Sequence, residues 1–362
     1  MFWLPSFRRK PESSGIWIPG RVSLARNDDP IPENGKLWES PARFGGLPYG
    51  LIEFRHQVYF TDLLRIFPDY YKFLTMAHLY LFLPIGIIAI STASIFIKLC
   101  DAPVLIIATY RLLLASLMLS PFAFYKKPWK GWGKDAVGWL LLSGLLLSLH
   151  FAFWIASLKY TSVASSVVLV TTHPIFVGVG GPLFLKERLG FNLILGIALS
   201  VLGSGVISYG DMTLSKEALM GDGLALLGAM AASGYLLVGR KMRKEQDLFS
   251  YMFPVYSTAG LILILFSLIS QKPFFGYPSS TYFYFFLLAL VPQLIGHTTF
   301  NWALRYLPAS MIAIAILGES IGSTLLAYFI LGEGLTIWKI LGGISIFAGI
   351  FVALRKEALS HK

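Results

Sequence analysis

From Ala77 onward the chain is a procession of ten apolar runs, at about 78–99, 103–125, 136–157, 162–185, 190–209, 221–239, 249–270, 281–303, 308–330 and 336–354. Each is near the ~20 residues that an α-helix needs to cross the ~30 Å hydrocarbon core of a bilayer. The runs lack the ~10-residue alternation of apolar and polar residues that marks a membrane barrel. A single water-facing core has no room for them. Hydrophobic residues make up 56% of the 362 and charged ones only 14%, against about 45–50% and a quarter in an average soluble domain. The expected fold class is therefore all-α: a polytopic membrane protein with ten transmembrane helices and the lipid bilayer as partner.

The first 75 residues differ in kind. They hold ten of the 30 Lys and Arg and eight of the 19 prolines, with no membrane-length apolar run. Arg8, Arg9 and Lys10 lead into Pro11 and Glu12, not into the apolar core of a signal peptide. Two readings stand: residues 1–75 are an irregular cytoplasmic extension, or the working protein begins at Met76. Beyond them, fourteen Lys and Arg fall in loops on one side of the expected helices and five on the other. That asymmetry predicts a cytoplasmic membrane location with both termini inside, including a short tail at 356–362. It also explains the net charge of +11 without nucleic acid, since the cations follow topology and form no binding stripe. The single cysteine, Cys100, excludes an intramolecular disulfide and a thiolate metal cluster.

An internal repeat is present. Leu158-Lys159-Tyr160 matches Leu304-Arg305-Tyr306, and the same shift of 146 carries Glu187 to Glu333, Leu189 to Leu335 and Gly196 to Gly342. Helices 3–5 thus correspond to 8–10, and by extension residues 76–210 to residues 219–355. A unit of five crossings re-enters the membrane from the opposite face, so two inverted five-helix repeats are expected. Such repeats are a hallmark of secondary transporters, with the substrate site near the midplane between the halves.

Ionisable groups at that depth cost about 2.5–3.5 kcal/mol on insertion scales, so each needs a reason. Glu319 lies near the middle of helix 9, and the repeat shift places His173 at the equivalent point of helix 4. Facing one cavity, the two can bind a proton and an amine in turn; alternatively they form a fixed hydrogen bond that joins the helices. His150 and His297 form a second, near-symmetric pair, and Gln293, His297 and Asn301 follow at spacings of four along one face of helix 8. Arg111, about two turns into helix 2, either attracts a substrate carboxylate or snorkels to the outer interface or caps the end of helix 1. Trp154 and Phe300 are aligned by the repeat as aromatic neighbours of the cavity. Glu187 and Glu333, at helix ends, are expected to cap the next helix. No catalytic constellation, metal-ligand motif or nucleotide-binding loop is readable, so no cofactor and no enzymatic activity are expected.

In this light the chain resembles the ten-helix transporters of the drug/metabolite transporter superfamily, specifically the EamA family. The likeness rests on residues 156–164, Pro174, Leu185-Lys186-Glu187-Arg188-Leu189, Gly196 and Gly203 in the first half. In the second it rests on residues 303–310, Leu331-Gly332-Glu333-Gly334-Leu335, Gly342 and Gly343. Arg111 also matches a common family position. The resemblance implies transport of small metabolites, often export of amino acids or related compounds, without ATP, by a monomer or homodimer. Proton coupling through Glu319 and uncoupled facilitation both remain open. The family usually has proline in the middle of helix 9, where this chain has Ser320, so no kink is carried over there.

Overall fold

The computed structural model describes residues 68–187, 190–210 and 215–355. The extension up to residue 67, the tail at 356–362 and the motif residues Arg188 and Leu189 lie outside the described residues. Among the described residues there is no strand. Among them, eight helical stretches are long and apolar enough to cross a bilayer: α1 (Leu81–Leu99), α2 (Val104–Lys126), α3 (Lys134–Ser157), α4 (Val163–Leu185), α6 (Lys216–Glu245), α7 (Leu248–Ile269), α8 (Ser279–Ala303) and α9 (Ala309–Leu331). Two further apolar helices, α5 (Phe191–Ile207) and α10 (Ile337–Ala353), are shorter.

Two boundaries differ from expectation. The chain is already helical from Pro68, so the last residues of the stretch read as irregular belong to a helix. The sixth helix continues past residue 239 to Glu245. There Arg243 is buried, because its Nε donates to the Asn301 carbonyl at 2.9 Å and Nη1 donates to the Gln246 carbonyl. A cation at a helix C-terminus is also favoured by the macrodipole.

The ends of α4 and α9 repeat each other in backbone detail. Each finishes in a π-helical turn, Gly181–Leu185 and Ala327–Leu331, at the 146-residue shift. Each is closed by a left-handed residue, Lys186 at φ 56° and Gly332 at φ 69°. Each is also interrupted midway. α4 divides at Thr171 and Thr172, between Val163–Val170 and His173–Gly180. α9 divides at Leu317, between Ala309–Ile316 and Gly318–Leu326. In α4 Pro174 lacks an N–H, and the hydroxyls of Thr171 and Thr172 bond back to Val167 and Leu169 carbonyls, which competes with the helical ladder. α9 breaks at the equivalent point without proline. There Leu317 and Ser320 N–H groups donate to the carbonyls three residues back, a tighter winding than the α-helix.

Glu187 and Glu333 do not cap the next helix. The Glu187 Oε2 accepts from the Ala309 N–H at the start of α9 (3.3 Å), and the Glu333 Oε1 accepts from the Val163 N–H at the start of α4 (3.1 Å). Each half supplies the cap for the other. The last turn of each helix therefore meets the first turn of its counterpart, and α4 and α9 run antiparallel. α5 and α10 do likewise. A Cβ at Gly203 would meet the Gly342 carbonyl oxygen at 2.6 Å, and one at Gly196 the Gly349 oxygen at 2.7 Å. Glycine is required at this crossing because backbone lies against backbone, the close approach that favours small residues between helices in lipid.

Candidate functional site

The midpoint breaks of α4 and α9 both line a small, partly open cavity of about 40 Å³, room for no more than a few water molecules. His173 is the first residue of the second part of α4, and Glu319 lies in the first turn of the second part of α9. Both side chains line the cavity and both are buried, at 3% and 7% exposure. α3 contributes His150 and Trp154, and α8 contributes His297, Phe300 and Asn301. α6 supplies Tyr235, so the site is built from five helices where four, α3, α4, α8 and α9, were expected.

The cavity gathers Glu319, His173, His150, His297 and Asn301 but not Arg111 or Gln293, and few of its polar groups are paired. Glu319 and His173 make no hydrogen bond to each other. His173 Nδ1 faces the Val170 carbonyl at 3.2 Å and its Nε2 has no partner. A carbonyl only accepts, so Nδ1 carries the proton and Nε2 of the neutral ring is an acceptor. The Glu319 carboxyl has no hydrogen bond or ion pair among the described residues; Arg111 acts on it electrostatically from beyond ion-pair distance. The fixed Glu–His bond between α4 and α9 is thus not formed. What joins the helices there is Thr171 and Ser320, whose hydroxyls lie 2.7 Å apart.

His150 and His297 come together, with ring centroids 6.4 Å apart. His150 stacks on Trp154 and is held through Nδ1 to the Gly228 carbonyl at 3.0 Å. The three polar residues of α8 do not share one role. A π-helical segment, Ala289–His297, winds through them and shifts the register that simple spacing assumes. Gln293 is turned to Arg111, His297 lines the cavity, and the Asn301 Nδ2 donates to the Tyr235 hydroxyl at 2.7 Å.

Arg111 does not reach an interface. Its side chain is fully buried, with Nε donating to Gln293 Oε1 at 2.8 Å and the guanidinium carbon 4.1 Å from the centre of the Phe151 ring. Snorkelling and capping of α1 are both excluded by that position. The bonding partner lies across the bundle on α8, which no spacing along α2 reveals. The pairing of Tyr235 has a similar character: nothing along α6 shows that its hydroxyl meets Asn301. Among the described residues no group of three His, Cys, Asp or Glu is placed to hold a metal ion.

A helical membrane bundle of two like halves, with a carboxyl, three imidazoles and a guanidinium shut away from lipid, is the architecture of a multi-pass transporter. The chain belongs to the EamA-like transporter family, whose sequence model matches it twice, over residues 75–209 and 219–355. It is similar to an uncharacterized transporter of Archaeoglobus fulgidus, 27% identical over 69% of this chain and 88% of that one. It is also similar to the uncharacterized transporter YdfC of Bacillus subtilis, 25% identical over 67% of this chain and 79% of the relative. A solved protein structure superposes with a TM-score of 0.62 at 15% identity, covering 79% of this chain and 99% of that one. At that identity the likeness is one of fold.

Proposed function

We propose that this transporter is a secondary carrier that exports amino acids or related small metabolites by alternating access, with proton coupling through Glu319. In this reading ten helices span the cytoplasmic membrane as two inverted repeats, with both termini inside. The antiparallel pairing of α4 with α9 and of α5 with α10 supports the inversion. The observation that carries the proposal is the small cavity at the two helix breaks, with Glu319 and His173 at equivalent points of the repeat and bonded to neither each other nor any other side chain. An ionised group at such depth is costly, and a proton or a substrate ammonium relieves that cost equally. Binding one in place of the other links their movements in opposite directions. A cavity this small must widen toward one face at a time to pass a metabolite, and movement at the interrupted helices would supply that.

Untargeted metabolite profiling of the medium tests this. Cells expressing the chain are expected to accumulate a small set of amino acids or related compounds outside, well above cells carrying Glu319→Gln or empty vector. No difference from empty vector at verified expression contradicts export.

A further inference from the structure

Behind the cavity wall, three nitrogen donors have nothing to bond: Nη1 and Nη2 of Arg111 and Nε2 of Gln293. Both residues are fully buried. Of its five N–H groups Arg111 uses the one on Nε, donated to Gln293 Oε1. That bond and the face of Phe151 fix the plane of the guanidinium and leave its two-pronged end free. Among the described residues no carboxylate lies within ion-pair distance of it. A guanidinium taken from water without a counter-charge is unstable unless an anion arrives.

The unpartnered groups on the far side of the site have the opposite character. Asn301 Oδ1 and His173 Nε2 are orphaned acceptors, and the Glu319 carboxyl is beside them. Donors thus collect at α2 and the π segment of α8, acceptors at α4, α9 and the end of α8. A carboxylate takes the free end of a guanidinium in the bidentate manner, and one N–H of Gln293 adds a further bond to its remaining lone pairs. An amine alone leaves this pole unsatisfied, and a neutral sugar leaves its charge uncompensated.

We infer that Arg111 and Gln293 form a carboxylate subsite, so that compounds carrying a free carboxylate are transported and the amines lacking it are rejected. This rests on the transport reading of the same site. Arg111 binds the anion. Gln293 holds Arg111 in plane through Oε1 and adds a third donor.

Formate, a carboxylate and little else, is the smallest probe of these two side chains. Thermal unfolding of the purified protein is followed in sodium formate and in sodium chloride at equal ionic strength. Formate is expected to raise the midpoint of the unmutated protein by about 2–4 °C over chloride. Arg111→Met, which removes an uncompensated charge, is expected to be no less stable in chloride and to lose the formate response. Gln293→Leu retains the charge and is expected to respond more weakly. Equal effects of formate and chloride, or an undiminished formate response in either variant, overturn the subsite. Should Arg111→Met not fold, Gln293→Leu decides alone. Formate protection without solute export leaves the subsite standing and sinks the transport reading; export without formate protection does the reverse.

Discussion

Asp247 illustrates how single polar side chains hold this bundle together outside the hydrocarbon. It precedes α7 and accepts from the N–H groups of Phe249 (3.0 Å) and Ser250 (3.2 Å), with Lys126 at 3.8 Å. Burial pushes its carboxyl up, but the hydrogen bonds from Ser250 and Phe249 and the charge of Lys126 outweigh that and hold it below the usual 3.8. A depressed carboxyl contributes stability above its unfolded value and loses it as pH falls through the folded one. Asp247→Ala is therefore expected to cost about 1 kcal/mol at neutral pH, and the gap to the unmutated protein to close below about pH 3.8 in pH-dependent melts. A gap that widens with acidification would refute this. Inside the membrane, the positions of Glu319 and His173 were legible because the repeat shift relates them without any knowledge of packing. Arg111 was less so. Its sequence neighbours fit an interfacial arginine equally well, and only the partner on α8 shows that it is buried.

At the scale of helices, periodicity and length found the elements but not their interruptions. Pro174 marks the break in α4; nothing comparable marks Leu317, where the backbone winds tighter without proline. The family's usual proline is absent from α9 and the break persists, so proline is not its cause. The reciprocal caps were half legible. Their place at helix ends suggested capping, but which helix each serves depends on the crossing of the halves. The two ends also differ in strength. Glu187 is paired with Arg240 Nε at 2.7 Å, both side chains 12% exposed, and Arg240 Nη1 also donates to the Leu304 and Arg305 carbonyls. Glu333 has a buried Oε2 with no hydrogen-bond partner. Arg240, read in the sequence as a topology cation, thus ties α4, α6 and α8 together. Losing one member of a buried pair costs about 3–5 kcal/mol, whereas losing a cap costs about 1 kcal/mol. Glu187→Ala should therefore destabilise the purified protein markedly more than Glu333→Ala. Equal losses in melting experiments would show that the pair contributes little.

For the molecule as a whole, the doubled order of motifs carried most of the reading. The 146-residue shift, found between Leu158 and Leu304, reappears in the π turns, the left-handed closures and the exchanged caps, features that no propensity scale anticipates. The cavity was foreseen as the meeting place of four helices. The hydrogen bond that draws Tyr235 of α6 to Asn301 leaves no mark in an apolar run. Proton-coupled transport at Glu319 is measured by efflux from proteoliposomes of the purified protein, loaded with a compound that the medium profile selects, with and without an imposed pH gradient. Coupling predicts that the gradient accelerates efflux several-fold through the unmutated protein and has no effect on Glu319→Gln. Efflux equal to that of protein-free liposomes, or one that ignores the gradient in the unmutated protein, would contradict it.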